Sequence, residues 1–301
     1  MELKNVLIKP KIIFENVNPL SREKENNLFE NLIQDGLICK EDEGVYLYFG
    51  IINKIYQSLI NYFREKAMSI GAEEISLPSL LNIKTLEQSD YIKNNSHICN
   101  YVATDDTNNN YSSVLNPAAC QPLYKHLNKT GLDKAYTGQC RVYRHETQGY
   151  HELYRLREYT IREIVFVSNE NEVKKFKSKM ITLVSNIIKE LGVTGKIETA
   201  SDIFFEDESN AKTIFQLATE SKLEATIKLD NLKSIAACSI NMHDYYFSKK
   251  WNIKLNNDEY ALTCCLGFGI ERWCYAIICQ FGYDEEKWPE SLKQIINDNY
   301  E

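Results

Sequence analysis

A chain of 301 residues, 44% hydrophobic and 26% charged, has the composition of an ordinary soluble globular protein, in one large domain or two small ones. Its formal net charge of −7 argues against a protein that grips a long nucleic acid, which needs a basic surface to displace counterions. No apolar run approaches the roughly 18–20 residues of a membrane span. Residues 1–11 lack the layout of a secretion signal, so a cytoplasmic protein with no membrane partner is expected. The nine cysteines form no CxxC pair and are odd in number; they read as reduced thiols, mostly core fillers, with a few available as metal ligands.

In chain order, a strand is predicted around Val6–Phe14. A helix follows from about Pro19 to Asp35, with Asn18 as N-cap and Gly36 as its stop. Residues 1–45 thus form a lead-in layer against the main domain. Ile52, Ile55, Tyr56, Leu59, Tyr62 and Phe63 recur at helical spacing, and Gly71 closes that helix. The strand Ala72–Leu81 comes next, interrupted by Pro78, which cannot donate to a ladder and so belongs at an edge or interface. Residues 82–115 are polar, with an exposed loop at Thr104–Asn110. Cys120 ends the run Asn-Pro-Ala-Ala-Cys at the start of a helix; alone, a cysteine there is more often a core residue.

The tract Gln139–Ser168 holds two strand-like segments, Arg141–Glu146 and Tyr154–Val167, joined by a polar turn around Thr147–Gly149. Alternation puts Arg144 and Glu146 on one face of the first, and Arg155, Arg157, Tyr159 and Ile161 on one face of the second. Cations, carboxylates and an aromatic on one hairpin fit a planar polyanion, a nucleotide. A long helix over 169–191 carries Lys174, Lys175, Lys177 and Lys179 near its start, a pattern that is usually a solvated face. Strands are predicted at Lys196–Phe205, Leu223–Leu229 and Ile235–Met242. Within Ser239–Phe247, alternation places Ser239, Asn241 and His243 on one side. Finally, Leu262–Ala276 is a strand running through Gly267 and Gly269 into a helix near Ile270. Arg272 in its first turn can reach a phosphate bound across the sheet. No internal repeat interrupts the chain, so residues 1–301 read as a single domain.

Three of these pieces, the Gly71–Leu81 segment, Tyr143–Glu146 (YRHE) with its hairpin partner, and Gly267–Arg272 (GFGIER), resemble motifs 1, 2 and 3 of class II aminoacyl-tRNA synthetases, in the right order. LEQSDYIK (Leu86–Lys93), NPAAC, YRLREYTIREIVFVS, ASDIFF (Ala200–Phe205), the row Ser239, Asn241, His243, TCCLGFGIERW and the Trp288-Pro289 pair narrow the resemblance to amino acid:[carrier protein] ligases. Those are short relatives of the atypical, methanogen-type seryl-tRNA synthetases, and the similarity runs over about residues 44–295. It implies an α+β fold with an antiparallel sheet flanked by helices, residues 168–195 as a helical insertion between motifs 2 and 3, and a homodimer through the motif 1 region. It also implies that a small amino acid, typically glycine or alanine, is activated with ATP and loaded onto the phosphopantetheine thiol of an acyl or peptidyl carrier protein. No tRNA partner is expected, in agreement with the length and acidic charge.

Activation joins a carboxylate to the α-phosphate of ATP, so cations must offset the meeting of two anions. By motif match, Arg144 takes the α-phosphate and the substrate carboxylate, and Arg272 takes the γ-phosphate. Arg155 is a second phosphate contact, Glu146 accepts from the adenine amino group, and Tyr159 stacks on the ring against Arg272. The resemblance further implies zinc held by Cys120, Glu163 and Cys265, its open position taking the substrate amino group. Register with the family favours Glu163 over Glu158, and Cys265 over its neighbour Cys264. Ser239 and Asn241 are expected to line the amino-acid pocket or orient ATP; His243 is equally well read as a structural histidine.

Three departures stand out. Ala236 occupies the place where many class II enzymes carry a magnesium-binding glutamate, which leaves Glu224 as a substitute ligand for Mg2+. Thr147 and Asp90 replace a common Pro and Gly, so the loops are expected to be re-shaped and substrate choice to differ from glycine or alanine. The Lys174–Lys179 run is a candidate landing site for an acidic carrier. Two rivals remain at this point: an enzyme charging a tRNA or a small acceptor, and a synthetase-like paralogue that has lost catalysis, for which Ala236 is the one hint.

Overall fold

The computed structural model describes residues 10–18, 27–103, 111–127, 132–200 and 219–300. One eight-stranded sheet runs in the spatial order β1 (Ile12–Asn16), β10 (Gly195–Thr199), β11 (Lys222–Lys228), β12 (Ser234–Asp244), β13 (Leu262–Gly269), β9 (Glu158–Ser168), β8 (Ala135–Tyr143) and β4 (Ala72–Glu74). Every neighbouring pair is antiparallel except β4 with β8, which is parallel. A hairpin of β2 (Ile38–Asp42) and β3 (Val45–Tyr48) stands beside it, as does a small sheet of β5 (Leu80–Asn82), β7 (Tyr111–Leu115) and β6 (Tyr101–Ala103). This is the expected α+β architecture.

The two faces of the sheet are covered unequally. Alternation sends Ile164 and Phe166 of β9, and Cys264, Leu266 and Phe268 of β13, into the main core. There they meet helices α2 (Gly50–Ser69), α6 (Glu170–Glu190) and α8 (Ile270–Phe281). Phe63 stacks on Phe268 with centroids 4.6 Å apart, and both rings are fully buried, so truncating either costs roughly 3–5 kcal/mol. The opposite face receives Val165, Val167 and Cys265, covered only at one end by α5 (Gln121–Leu127) and α7 (Tyr246–Trp251). The uncovered remainder of that face is where a ligand can sit. Among the described residues no helix is long and apolar enough to cross a membrane.

Several boundaries move. The hairpin strands are shorter than alternation implies: β8 ends at Tyr143, paired with Glu158, so Arg144, Glu146, Arg155 and Arg157 stand in the connecting loop rather than on strand faces. The chain leaves the ladder there because the Arg157 N–H donates to Gly44 of the neighbouring hairpin (2.9 Å), although Arg144 N–H still reaches the Arg157 carbonyl. The strand predicted over Ala72–Leu81 splits at Pro78 into β4 and β5, which join different sheets. Residues 82–115 contain two short helices, α3 (Ile83–Gln88) and α4 (Tyr91–Asn95), besides β6 and β7. The first strand lies at Ile12–Asn16, and α1 (Leu28–Gln34) ends before Gly36, whose φ of 67° makes the expected stop. The start of that helix, the loop at 104–110 and most of ASDIFF lie outside the described residues.

Helix α8 is fastened to β9 by Glu271, which is 2% exposed and accepts the Thr160 N–H on both carboxylate oxygens at 2.9 Å. Burial pushes its carboxyl up to about 7, against the pull of those N–H groups and of Arg141. The folded value thus lies above the unfolded one, so the folded state binds the extra proton and loses stability as pH rises from about 4.5 through 7. A Glu271→Gln variant is expected to flatten that pH dependence. Thermal melts from pH 5 to 8 should show the wild type losing stability relative to the variant, by up to roughly 3 kcal/mol.

Candidate active site

One glycine and a turn build the first cluster. Gly267 of β13 sits opposite Glu163 of β9, and a Cβ at 267 would meet the Glu163 Oε2 at 2.8 Å and Ile161 Cδ1 at 2.9 Å. Glycine therefore leaves the space the carboxylate occupies. Cys265, two residues away on the same face, lies next to it. Cys120 arrives from a turn fixed by fully buried Asn116, whose Nδ2 donates to the Pro78 carbonyl (3.0 Å) and whose Oδ1 accepts from Ala118 N–H (3.0 Å). The ligand atoms of Cys120, Glu163 and Cys265 all lie within 4.8 Å of one another, and all three residues are buried.

Cys264 faces away, its Sγ 3.6 Å from the Phe166 carbonyl, and Glu158 is ion-paired with Arg141 at 2.5 Å. Neither residue joins the cluster. Burial pushes Glu163 up to about 7. The Cys265 thiol is driven up by its hydrogen bond with Cys120, by burial and by the Glu163 charge. Burial therefore favours the protonated forms of Glu163 and Cys265, and a dication reverses that preference. Two sulfurs and a carboxylate suit zinc, and three protein donors leave one position open.

The second cluster surrounds Tyr159. Arg144 Nε donates to the Pro117 carbonyl (3.0 Å), and its guanidinium lies 5.7 Å from the Tyr159 ring. From the other side Arg272, held by Nε to the Tyr154 carbonyl (3.0 Å) and Nη1 to the Ala236 carbonyl (2.7 Å), lies 6.0 Å from the same ring. Burial works against the Arg144 charge, yet Tyr159, Tyr91 and Glu146 around it hold its pKa above the ordinary arginine value. Arg144, Tyr159 and Arg272 line a cavity of about 290 Å³. The Cys–Glu–Cys cluster lines another of about 540 Å³. Arg144, Ile161, Ser239, Asn241, Tyr91 and Asn95 belong to the walls of both, so the two cavities adjoin.

The row Ser239, Asn241, His243 runs along this junction. Asn241 Nδ2 donates to Ser239 Oγ (3.3 Å) and lies 3.8 Å from Cys265 Sγ. His243 Nε2 is 3.8 Å from the same sulfur, and its Nδ1 is 3.3 Å from the Tyr124 hydroxyl. Glu146 and Arg155 are not brought in: neither lines either cavity, and Arg155 Nη1 donates to Gln148 Oε1 (3.2 Å). Asp90 keeps the left-handed backbone (φ 56°) that a glycine would take, and its carboxylate bonds Lys250. Its charged side chain stands in the wall of the larger cavity.

Sequence reasoning missed Asn95 and Gln121. Asn95 Oδ1 and Gln121 Oε1 are buried without a hydrogen-bond partner and belong to cavity walls, acceptors left for a ligand. Adjacency to Cys120 was the only signal for Gln121, and nothing local marks Asn95. The lysine run offers less free charge than its composition suggests. Lys174 pairs with Glu170 (2.5 Å), Lys175 with Glu172 (2.6 Å), and Lys177 donates to the Glu220 carbonyl (2.8 Å).

Around this largely antiparallel sheet, with an arginine at each side of Tyr159, residues 101–281 match the tRNA synthetase class II core domain (G, H, P, S and T); the chain belongs to that family. Within the family it is 28% identical over 299 residues to amino acid--[acyl-carrier-protein] ligase 1 of Bradyrhizobium diazoefficiens, covering 90% of this chain and 88% of that protein. It is 27% identical to the type-2 serine--tRNA ligase of Methanococcus maripaludis over 60% of this chain, spanning 37% of the relative. The M. kandleri seryl-tRNA synthetase, solved with A. aeolicus tRNASec, superimposes with a TM-score of 0.80 at 18% identity. That match covers 97% of this chain and 64% of the other, so the chain spans less than two thirds of that synthetase.

A Gly267→Ala variant tests the metal cluster. Its new methyl group displaces the Glu163 carboxylate, and zinc binding should weaken roughly 10–100-fold while the circular dichroism spectrum is kept. Metal analysis after dialysis against a chelator series reads this out; undiminished zinc in the variant would count against the cluster as the metal site.

Proposed function

We propose that the protein is an adenylate-forming ligase that activates a small amino acid with ATP and transfers it to the phosphopantetheine thiol of a carrier protein. The observation that carries this reading is that Arg144 lines both cavities. A group bound at the Cys–Glu–Cys cluster and a phosphate bound near Arg272 would both lie within reach of the same guanidinium. The relative matched over most of its length is named for an acyl carrier protein, which supports the choice of acceptor.

In this reading Arg144 holds the substrate carboxylate against the α-phosphorus. A carboxylate oxygen attacks, the bond to pyrophosphate breaks, and the charge developing at phosphorus meets Arg144 and Arg272. Tyr159 supplies the surface on which adenine stacks. Zinc bound by Cys120, Glu163 and Cys265 would supply a Lewis-acid position for a neutral α-amino group, so free amines are selected over acylated ones. Ser239 and Asn241, between the cavities, orient the amino acid, and His243 stands behind Cys265. In the second step the carrier thiol attacks the adenylate carbonyl, AMP leaves with the bonding electrons, and the thiol proton passes to solvent. No nucleophile of this chain is required. Residues 1–301 act as one catalytic unit, and pairing of two copies through residues 71–81 completes the reading.

Amino-acid-dependent exchange of pyrophosphate into ATP is the decisive assay. Exchange is expected with one or a few small amino acids, and Arg144→Ala or Arg272→Ala should lower it roughly 10²–10³-fold. Silence with every small amino acid would overturn the reading. Transfer of labelled amino acid to holo-carrier protein, with tRNA as the competing acceptor, then separates the two classes of acceptor.

A further inference from the structure

A third cation faces the phosphate cavity. Lys222 and Glu224 lie two residues apart on β11, which turns both side chains to one face, and the register sets them opposite Asn241 and Ser239. Both line the cavity that holds Arg144 and Arg272. They are paired, Nζ to Oε1 at 3.0 Å, with side chains 13% and 24% exposed.

A protein-held magnesium ion needs carboxylates free to bind it. Among the described residues Glu224 is the only carboxylate in the walls of this cavity, and it is bound to a lysine. Position 236 is alanine, and its backbone carbonyl is taken by Arg272. Among the described residues the donor set therefore does not fit a divalent ion anchored by the protein. It does fit direct binding of phosphate oxygens: among those residues the walls carry three cations and one carboxylate, and a lysine is a compact point charge for phosphate.

We infer that Lys222 binds the triphosphate of ATP directly, in the place of a protein-held magnesium ion, and that Glu224 positions its ammonium group. The inference rests on the ATP-dependent reading above. Burying the lysine without a partner would be costly, and Glu224 offsets that cost in the absence of nucleotide. Magnesium then enters only as part of the ATP complex, as substrate.

The experiment compares Lys222→Met, Lys222→Arg and Glu224→Gln with the wild type. Two readouts are used: calorimetric binding of a non-hydrolysable α,β-methylene ATP, which needs no turnover, and pyrophosphate exchange titrated with magnesium. Lys222→Met should weaken analogue binding and raise the KM for ATP roughly 10–100-fold. Lys222→Arg should retain most of the affinity, which rules out a merely structural loss. Magnesium in excess of ATP should not accelerate the wild type. Unchanged analogue affinity in Lys222→Met would overturn the inference, as would a Glu224→Gln variant whose main effect is a higher magnesium requirement. A wild type that binds the analogue but shows no exchange would sink the ligase reading alone, because the binding arm still decides the role of Lys222. Failure to bind the analogue at all would sink both.

Discussion

The structure depends on the antiparallel pairing of β9 with β13, and on the two-residue alternation it imposes. One set of side chains from these strands, with Phe268 and Phe166 at its centre, packs beneath α2, α6 and α8. The other set, Glu163, Cys265 and Gly267, is delivered to the opposite face. A shift of one residue in this register would exchange the two sets, putting a carboxylate and a thiol into the core and Phe268 into the cleft. The apolar core is thus what holds the polar cluster in place.

The same strands set the spacing of the chemistry. Arg144 leaves the sheet at the end of β8, and Arg272 enters at the start of α8, so the two guanidiniums approach Tyr159 from different elements. Each is oriented by backbone carbonyls rather than by carboxylates, which keeps its charge available to a ligand. Among the described residues the cavity they line holds more cations than carboxylates, and it adjoins the Cys–Glu–Cys cluster.

Much of this was legible in the chain. YRHE and GFGIER pointed to Arg144 and Arg272, and resemblance to the family's segments around Gly267 and Glu163 pointed to ligand candidates that the structure brings together. The hairpin was read less well. Alternation was extended past Tyr143 to Glu146 and back to Arg155, where the backbone had already turned toward Gly44. Glu146 and Arg155 accordingly stand apart from the cavities. Periodicity carries no information about where a neighbouring hairpin captures the chain.

The sequence by itself determined the antiparallel sheet, the helices of its buried face and the identities of the arginines and metal-ligand candidates. The helices follow from local periodicity; the sheet architecture and the candidate site residues follow from the resemblance of short motifs, each covalently close, to a known family. Only the tertiary structure decided that Asn95, Gln121 and the Lys222–Glu224 pair line these cavities, and that Lys177 of α6 reaches the Glu220 carbonyl. Such placements depend on contacts between elements far apart in sequence, and no local pattern encodes the distance across a folded sheet.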